Sequence, residues 1–403
     1  VLYEAALVNQ GVMASIDILV KDGDRWKAYE VKSGGSLHDT YVEDACLQHW
    51  VLSGAGLELA DISVVYIDKS YVRHGDLDVQ GLFTMSSVLH RALAQADEIG
   101  RTVTKLHEII AAVDVPEISI GPHCFDPYTC SFKGHCWGEM PERTVFDLSK
   151  LGQKQWQLYE QGIVRLADIP QSFALNEKQH IEVRAAATGE PHIETAAVRE
   201  FVGGLEYPVY HLDFETVGPA IPLFDGTSPY EQVPFQYSLH RRDEPGGELQ
   251  HCAFLGDGKT DPRAALVEQL IADAGMKGHV LSYTPYERTQ LNNLIGAVPS
   301  RAAELQAIVD RLVDLSDPFR NHDYYTAEMD GRYSIKNVLP ALVPDLSYEG
   351  LDISEGMAAS NAYENLHYET DLVRIAEVRQ ALLDYCGLDT LAMVKILEVL
   401  ERV

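Results

Sequence analysis

The stretch VYHLDFET, residues 209–216, is the most restrictive part of the sequence. Its aromatic and β-branched content predicts a strand, and strand alternation puts Val209, His211, Asp213 and Glu215 on one face and Tyr210, Leu212 and Phe214 on the other. The apolar residues call for burial, yet two carboxylates then lie side by side in a low-dielectric setting. Such a pair is costly unless something positive offsets it. The fold must therefore bring a cation, or a cationic side chain, to this strand.

A chain of 403 residues exceeds one ordinary core, and two or three domains are expected. Hydrophobic residues at 46% and charged residues at 23% predict packed cores rather than long disordered regions. The 61 acids against 32 Lys plus Arg leave a formal net charge of −29, which opposes nonspecific binding of polyanions. A nucleic-acid substrate would need a local basic groove or bound metal ions. No apolar run reaches the length of a membrane span and no signal peptide is visible, so no membrane partner is expected. Six cysteines in a chain this long favour a reducing cytoplasm over a disulfide scaffold. The sequence opens on Val1 inside a structured pattern, so a preceding segment is expected.

Three zones differ in texture. Residues 1–140 begin with a hairpin pattern, continue through helices and end in a Cys-containing loop. Residues 141–205 are helical and short-looped, with LGQKQWQLYEQGIVRLADIP predicting two small helices around Gly162. That text resembles a helix-hairpin-helix connector, which is either a nucleic-acid backbone grip or a spacer. Residues 206–403 run strand, strand, strand and then alternate helix with strand, which predicts an α/β domain with a mixed sheet.

If Asp213 and Glu215 hold a hard divalent cation, further oxygen ligands must converge on them from distant positions. In ALLDYCGLDTLAMVKIL the apolar stripe Leu382, Tyr385, Met393 and Ile396 also contains Asp389, and Tyr385 and Asp389 share a face four residues apart. Asp-x-Glu followed by this Tyr-x-x-x-Asp resembles the DnaQ-like 3′-to-5′ exonucleases of the ribonuclease H fold, in their tyrosine-bearing class. The family's second acidic motif corresponds to VLSYTPYERTQL, with Glu287 where an Asp is usual and Tyr283 where an Asn is usual. Glu287 also fits a capping box with Thr284, and Asp314 and Asp317 are rival ligands. The resemblance implies two Mg2+ or Mn2+ ions held by Asp213, Glu215, Glu287 and Asp389, with Tyr385 orienting the attacking water. The tract around SIKNVLP looks like that of a bacterial family of unknown function carrying this exonuclease domain, and Ser334 and Lys336 are expected to contact the substrate strand.

A second acid-rich device lies in ASIDILVKDGDRWKAYEVKSG. An Asp22-Gly23 turn would place Asp17 opposite Ala28, leaving Asp17, Glu30 and Lys32 on one face as diagonal neighbours roughly 7 to 8 Å apart. Asp followed by Glu-x-Lys on the next strand resembles the PD-(D/E)XK nucleases. Asp17 and Glu30 would then bind metal, while Lys32 would orient water or stabilise charge on phosphate. The helix YVEDACLQHWVLSGAG carries Gln48, which resembles the glutamine motif of RecB-like nucleases, and Glu4 falls where such enzymes often place another acid. Cys124, Cys130 and Cys136 resemble the cysteine trio that holds an iron-sulfur cluster in CRISPR-associated RecB-like nucleases. The resemblance implies a 4Fe-4S cluster with its fourth ligand upstream of Val1; zinc completed by His123 or His135 is the alternative. Cys46, Cys252 and Cys386 read as buried small apolar residues.

The expectation is an α/β protein: a RecB-like PD-(D/E)XK nuclease domain (1–140), a helical connector (141–205) and a DnaQ-like exonuclease domain (206–403). It would hydrolyse nucleic acid at two metal sites, DNA being favoured over RNA, in repair or defence. The alternatives are a nucleic-acid-binding protein with degenerate sites and an RNA-directed exonuclease.

Overall fold

A computed structural model describes all 403 residues, and the chain divides into two compact units. One comprises Val1–Cys136 with Pro219–Glu231, and the other Trp137–Gly218 with Gln232–Val403. The stretch 141–205 lies within the second of these. Both units are mixed α/β.

The first unit is built on a sheet of β1 (Leu2–Asn9), β2 (Val12–Asp22), β3 (Arg25–Lys32), β4 (Leu59–Ile67) and β5 (Phe83–Ser87), in that order. The β3–β4 pair is parallel and is bridged by α1 (Asp39–Gly54); the other pairs are antiparallel. Helix α2 (Leu89–Ala111) follows β5. Gln10 and Gly11 both take positive φ, the conformation a tight hairpin with the strands' own twist requires. The second hairpin departs from expectation. Asp22 pairs with Arg25, so the loop is Gly23-Asp24, with Gly23 at φ +62° in first position, rather than Asp22-Gly23. Moving the loop by one residue moves every partner by two, so the faces are kept. Continuing the ladder from Ile18↔Tyr29 puts Asp17 directly opposite Glu30, a closer placement than the diagonal one.

The second unit opens with short pieces: α3 (Lys133–Cys136) lies just before it, then come α4 (Lys154–Glu160), α5 (Glu177–Thr188), β6 (His192–Ile193) and α6 (Thr195–Gly203). Gly162 turns the chain at φ +78°, but the second small helix expected after it is a single 3-10 turn, Leu166–Asp168. Asn176 caps α5 in a reciprocal box with Gln179.

The main sheet then forms from β7 (Val209–Val217), β8 (Val233–Arg242), β9 (Gln250–Leu255), β10 (Val280–Ser282) and β11 (Leu312–Asp314), ordered β11-β10-β7-β8-β9. Strand β8 runs antiparallel to both of its neighbours, β7 and β9, whereas β10 is parallel to β7 and β11 to β10. Between and after them lie α7 (Arg263–Ala274), α8 (Tyr286–Ala297), α9 (Ala302–Val309), α10 (Asp317–Arg320), β12 (Tyr324–Tyr325), α11 (Ile335–Leu342), α12 (Gly356–Leu366) and α13 (Leu372–Leu400). Central β7 is covered on both sides, which explains its near-continuous apolar text. Tyr210, Leu212 and Phe214 pack into a core with residues of α7, α8 and α9. Val209 belongs to a second core with Met393, Ile396 and Leu397 of α13, so the acid-bearing face of β7 looks toward the last helix. No helix is long and apolar enough to cross a membrane.

Candidate metal centre

Strand β7 contributes Asp213 and Glu215, opposite Ser238 and Gln236 of β8, and the register shifts after Glu215. Helix α13, started by Asp371 accepting from the amides of Val373 and Arg374, brings Tyr385, Cys386 and Asp389 to the same place. These three fall on a helix face because they are spaced by three and four residues. Helix α8 supplies Glu287 from its first turn.

Glu287 is 2% exposed; Oε2 has no hydrogen-bond partner, and the carboxyl contacts that of Asp213. The capping reading does not describe it, because α8 lacks a side-chain cap and the Thr284 amide donates instead to Asp314 Oδ1 at 3.0 Å. Asp314 also accepts from the amide and hydroxyl of Ser316 and pairs with Arg320, as does Asp317. Those two rivals are thus satisfied where they stand.

No arginine or lysine pairs with any of the four acids, and burial is the main cause of their altered titration. It lifts Asp213 well above its ordinary value with help from the Asp389 charge, and Glu215 with help from Asp213 and Asp389. Glu287 is raised by burial and then by Asp213. Asp389 is pushed up by burial to about 6, less far because Tyr348, Lys336 and Tyr385 oppose the shift. A hydrogen-bonded contact between two carboxyls, as between Asp213 and Glu287, requires a shared proton unless a cation replaces it. Asp213, Glu215 and Cys386 offer ligand atoms all within 4.8 Å of one another, a group that could hold a metal ion.

Several contributors escaped sequence reasoning. The Tyr348 hydroxyl donates to Asp389 Oδ1 at 2.6 Å from a loop with no periodic pattern to reveal it. Cys386 is fully buried, as expected of a small apolar residue, but its Sγ lies 3.5 Å from Asp213 Oδ2. Its i,i+3 relation to Asp389 was the available signal. His211, His240 and His251 occupy one register across β7, β8 and β9, and burial depresses the His211 pKa to about 3. Lys336 lies close enough to lower the pKa values of Glu215 and Asp389, while its ammonium donates to Ser354 O at 3.2 Å. Ser334 is exposed and bonded to Asn337.

In the first unit, Glu30 sits under two donors: Lys32 Nζ at 2.6 Å from Oε1 and Gln48 Nε2 at 2.7 Å from Oε2. Lys32 also reaches Asp44 Oδ2 at 2.5 Å. Asp44, one turn before Gln48 on α1, was missed although the i,i+4 spacing announces it. Asp17 Oδ2 accepts from the Val31 amide at 2.7 Å. Glu4 is exposed and meets Ser15 Oγ at 3.3 Å. Burial raises the Glu30 pKa and works to lower that of Lys32, but the bonds to Asp44 and Glu30 outweigh it and hold Lys32 firmly protonated.

Cys124, Cys130 and Cys136 are free thiols of increasing exposure along one loop, with the Cys130 amide bonded to Cys124 O at 2.8 Å. Their sulfurs are not gathered within 4.8 Å as the ligand atoms of the Asp213, Glu215 and Cys386 group are. Cys46 is buried in α1.

The family model for a domain of unknown function, DUF2779, matches residues 210–334. The matched stretch holds Asp213, Glu215 and Glu287 and stops short of Lys336, Tyr348, Tyr385 and Asp389. No curated protein and no solved structure matches the chain.

Proposed function

We propose that the chain is a metal-dependent nuclease whose principal site is formed by Asp213, Glu215, Glu287 and Asp389. The observation that carries this reading is the convergence of four buried or part-buried carboxyls, from β7, α8 and α13, none of them in an ion pair. A fold does not retain such a cluster for stability, since each ionised member repels the others. The orphaned Glu287 Oε2 and the oxygen-rich donor set fit hard divalent cations such as Mg2+ or Mn2+. The strand order and directions around β7, with the acids on the central strand and the last helix, support a DnaQ-like exonuclease domain of ribonuclease H type.

Bound cations would polarise water and neutralise charge developing on the scissile phosphate. The chain's own residues have separate tasks. The four acids would hold the ions; Tyr348 and Tyr385 orient Asp389 by hydrogen bonds; Lys336 would lend positive charge for a phosphate. Tyr385 would orient the attacking water.

The first unit supports a second, RecB-like PD-(D/E)XK site made of Asp17, Glu30 and Lys32, with Gln48 steadying Glu30. The ion pairs to Glu30 and Asp44 favour the charged form of Lys32, which supports a role in stabilising phosphate charge. The cysteine loop would supply thiolates to an iron-sulfur cluster or zinc, which metal and sulfide analysis of anaerobically purified protein decides.

The activity test uses end-labelled single- and double-stranded DNA and RNA with Mg2+ or Mn2+. Cleavage lost in Asp213→Ala assigns the second unit, and cleavage lost in Lys32→Ala assigns the first. No cleavage of any substrate with either ion would replace the enzyme reading with nucleic-acid binding.

A further inference from the structure

We propose that Cys386 makes the Asp213–Glu215 site a capture point for thiophilic divalent cations such as Zn2+ or Cd2+, which would compete there with a hard cation and inhibit the protein. The inference rests on the metal-site reading above and adds a regulation of that site.

Strand alternation aims both acids of β7 at α13, and the fully buried Cys386 meets them with its sulfur 3.5 Å from Asp213 Oδ2. Two carboxylate oxygens and a sulfur within 4.8 Å are a mixed O/O/S set, and sulfur ligands favour softer cations over Mg2+. Zn2+ takes three protein ligands of this kind and a fourth position. Two further facts point to a ligand. Glu215 is 8% exposed against Asp213 and Cys386, and the buried Glu287 Oε2 has no hydrogen-bond partner beside Asp213. On capture, the S–H proton passes to buffer base as the sulfur–metal bond forms, and no oxidation state changes.

The plain alternative is that the thiol fills space under Asp213 and donates a weak hydrogen bond to it. Full-length wild-type, Cys386→Ser and Asp213→Asn proteins are titrated with Cd2+, following the ultraviolet thiolate-to-Cd2+ band, and with Mn2+, following its paramagnetic resonance signal. Cys124, Cys130 and Cys136 are present in all three, so their contribution cancels in the differences. The expected result is a tight wild-type increment absent from both variants, with Cd2+ affinity at that site lowered at least about tenfold in Cys386→Ser. Mn2+ binding should survive in Cys386→Ser and fail in Asp213→Asn. Circular dichroism verifies folding, and Cys386→Ala provides a second test of the sulfur. Coincident Cd2+ titrations of wild-type and both Cys386 variants would overturn the inference, and retained Mn2+ binding would leave the nuclease reading standing. If neither ion binds the wild type at this site, both readings fall.

Discussion

Asp389 offers a quantitative test of the carboxylate cage. Burial raises its pKa from 3.8 to about 6, so the folded state holds the proton more tightly than the unfolded chain. The sign follows: stability is favoured below pH 3.8, falls as pH rises through the interval to about 6, and stays lowered above it. At about 1.36 kcal/mol per pKa unit, the metal-free protein at pH 8 carries a penalty on the order of 3 kcal/mol from this group. Asp389→Asn keeps an oxygen to accept from Tyr348 and removes the charge. In EDTA, urea unfolding read by tryptophan fluorescence should show the variant more stable than wild type by up to about 3 kcal/mol at pH 8, with the difference closing near pH 4. Mn2+ at a hundred times its dissociation constant should return about 2.7 kcal/mol to the wild type and much less to the variant. A variant that is no more stable at pH 8, with the same difference from wild type at pH 4, would refute the claim that Asp389 is a desolvated charge awaiting a cation.

Tyr348→Phe removes the 2.6 Å donor to Asp389 and should weaken Mn2+ binding about 10- to 100-fold by resonance titration, without loss of the fold. Glu287→Gln removes the repulsion with Asp213, so the metal-free variant should withstand urea at pH 8 at least as well as wild type while losing Mn2+ affinity; retained affinity would remove Glu287 from the ligand set. Gln48→Ala leaves Glu30 Oε2 buried without its donor and should cost about 1 to 3 kcal/mol in urea unfolding of the first unit. Zn2+ should inhibit any Mg2+-supported cleavage by wild-type protein more strongly than cleavage by Cys386→Ser.

Periodicity alone placed several features correctly. The alternation of VYHLDFET assigned Asp213 and Glu215 to one face, and the stripe through Leu382, Tyr385, Asp389 and Met393 marked an acid among buried residues of α13. Those are local properties, since the direction of a side chain follows from the repeat of its own element. Contacts between elements required tertiary structure. The sequence leaves open whether Glu287 caps its helix; the structure gives the Thr284 amide to Asp314 and leaves Glu287 against Asp213. Tyr348 reached Asp389 across 41 residues from an aperiodic loop, and the Cys386 sulfur met Asp213 only because α13 packs against β7. The Gly23-Asp24 loop shows the same division on a smaller scale: parity already put Asp17 and Glu30 on one face, while the geometry of the turn decided that they stand opposite one another.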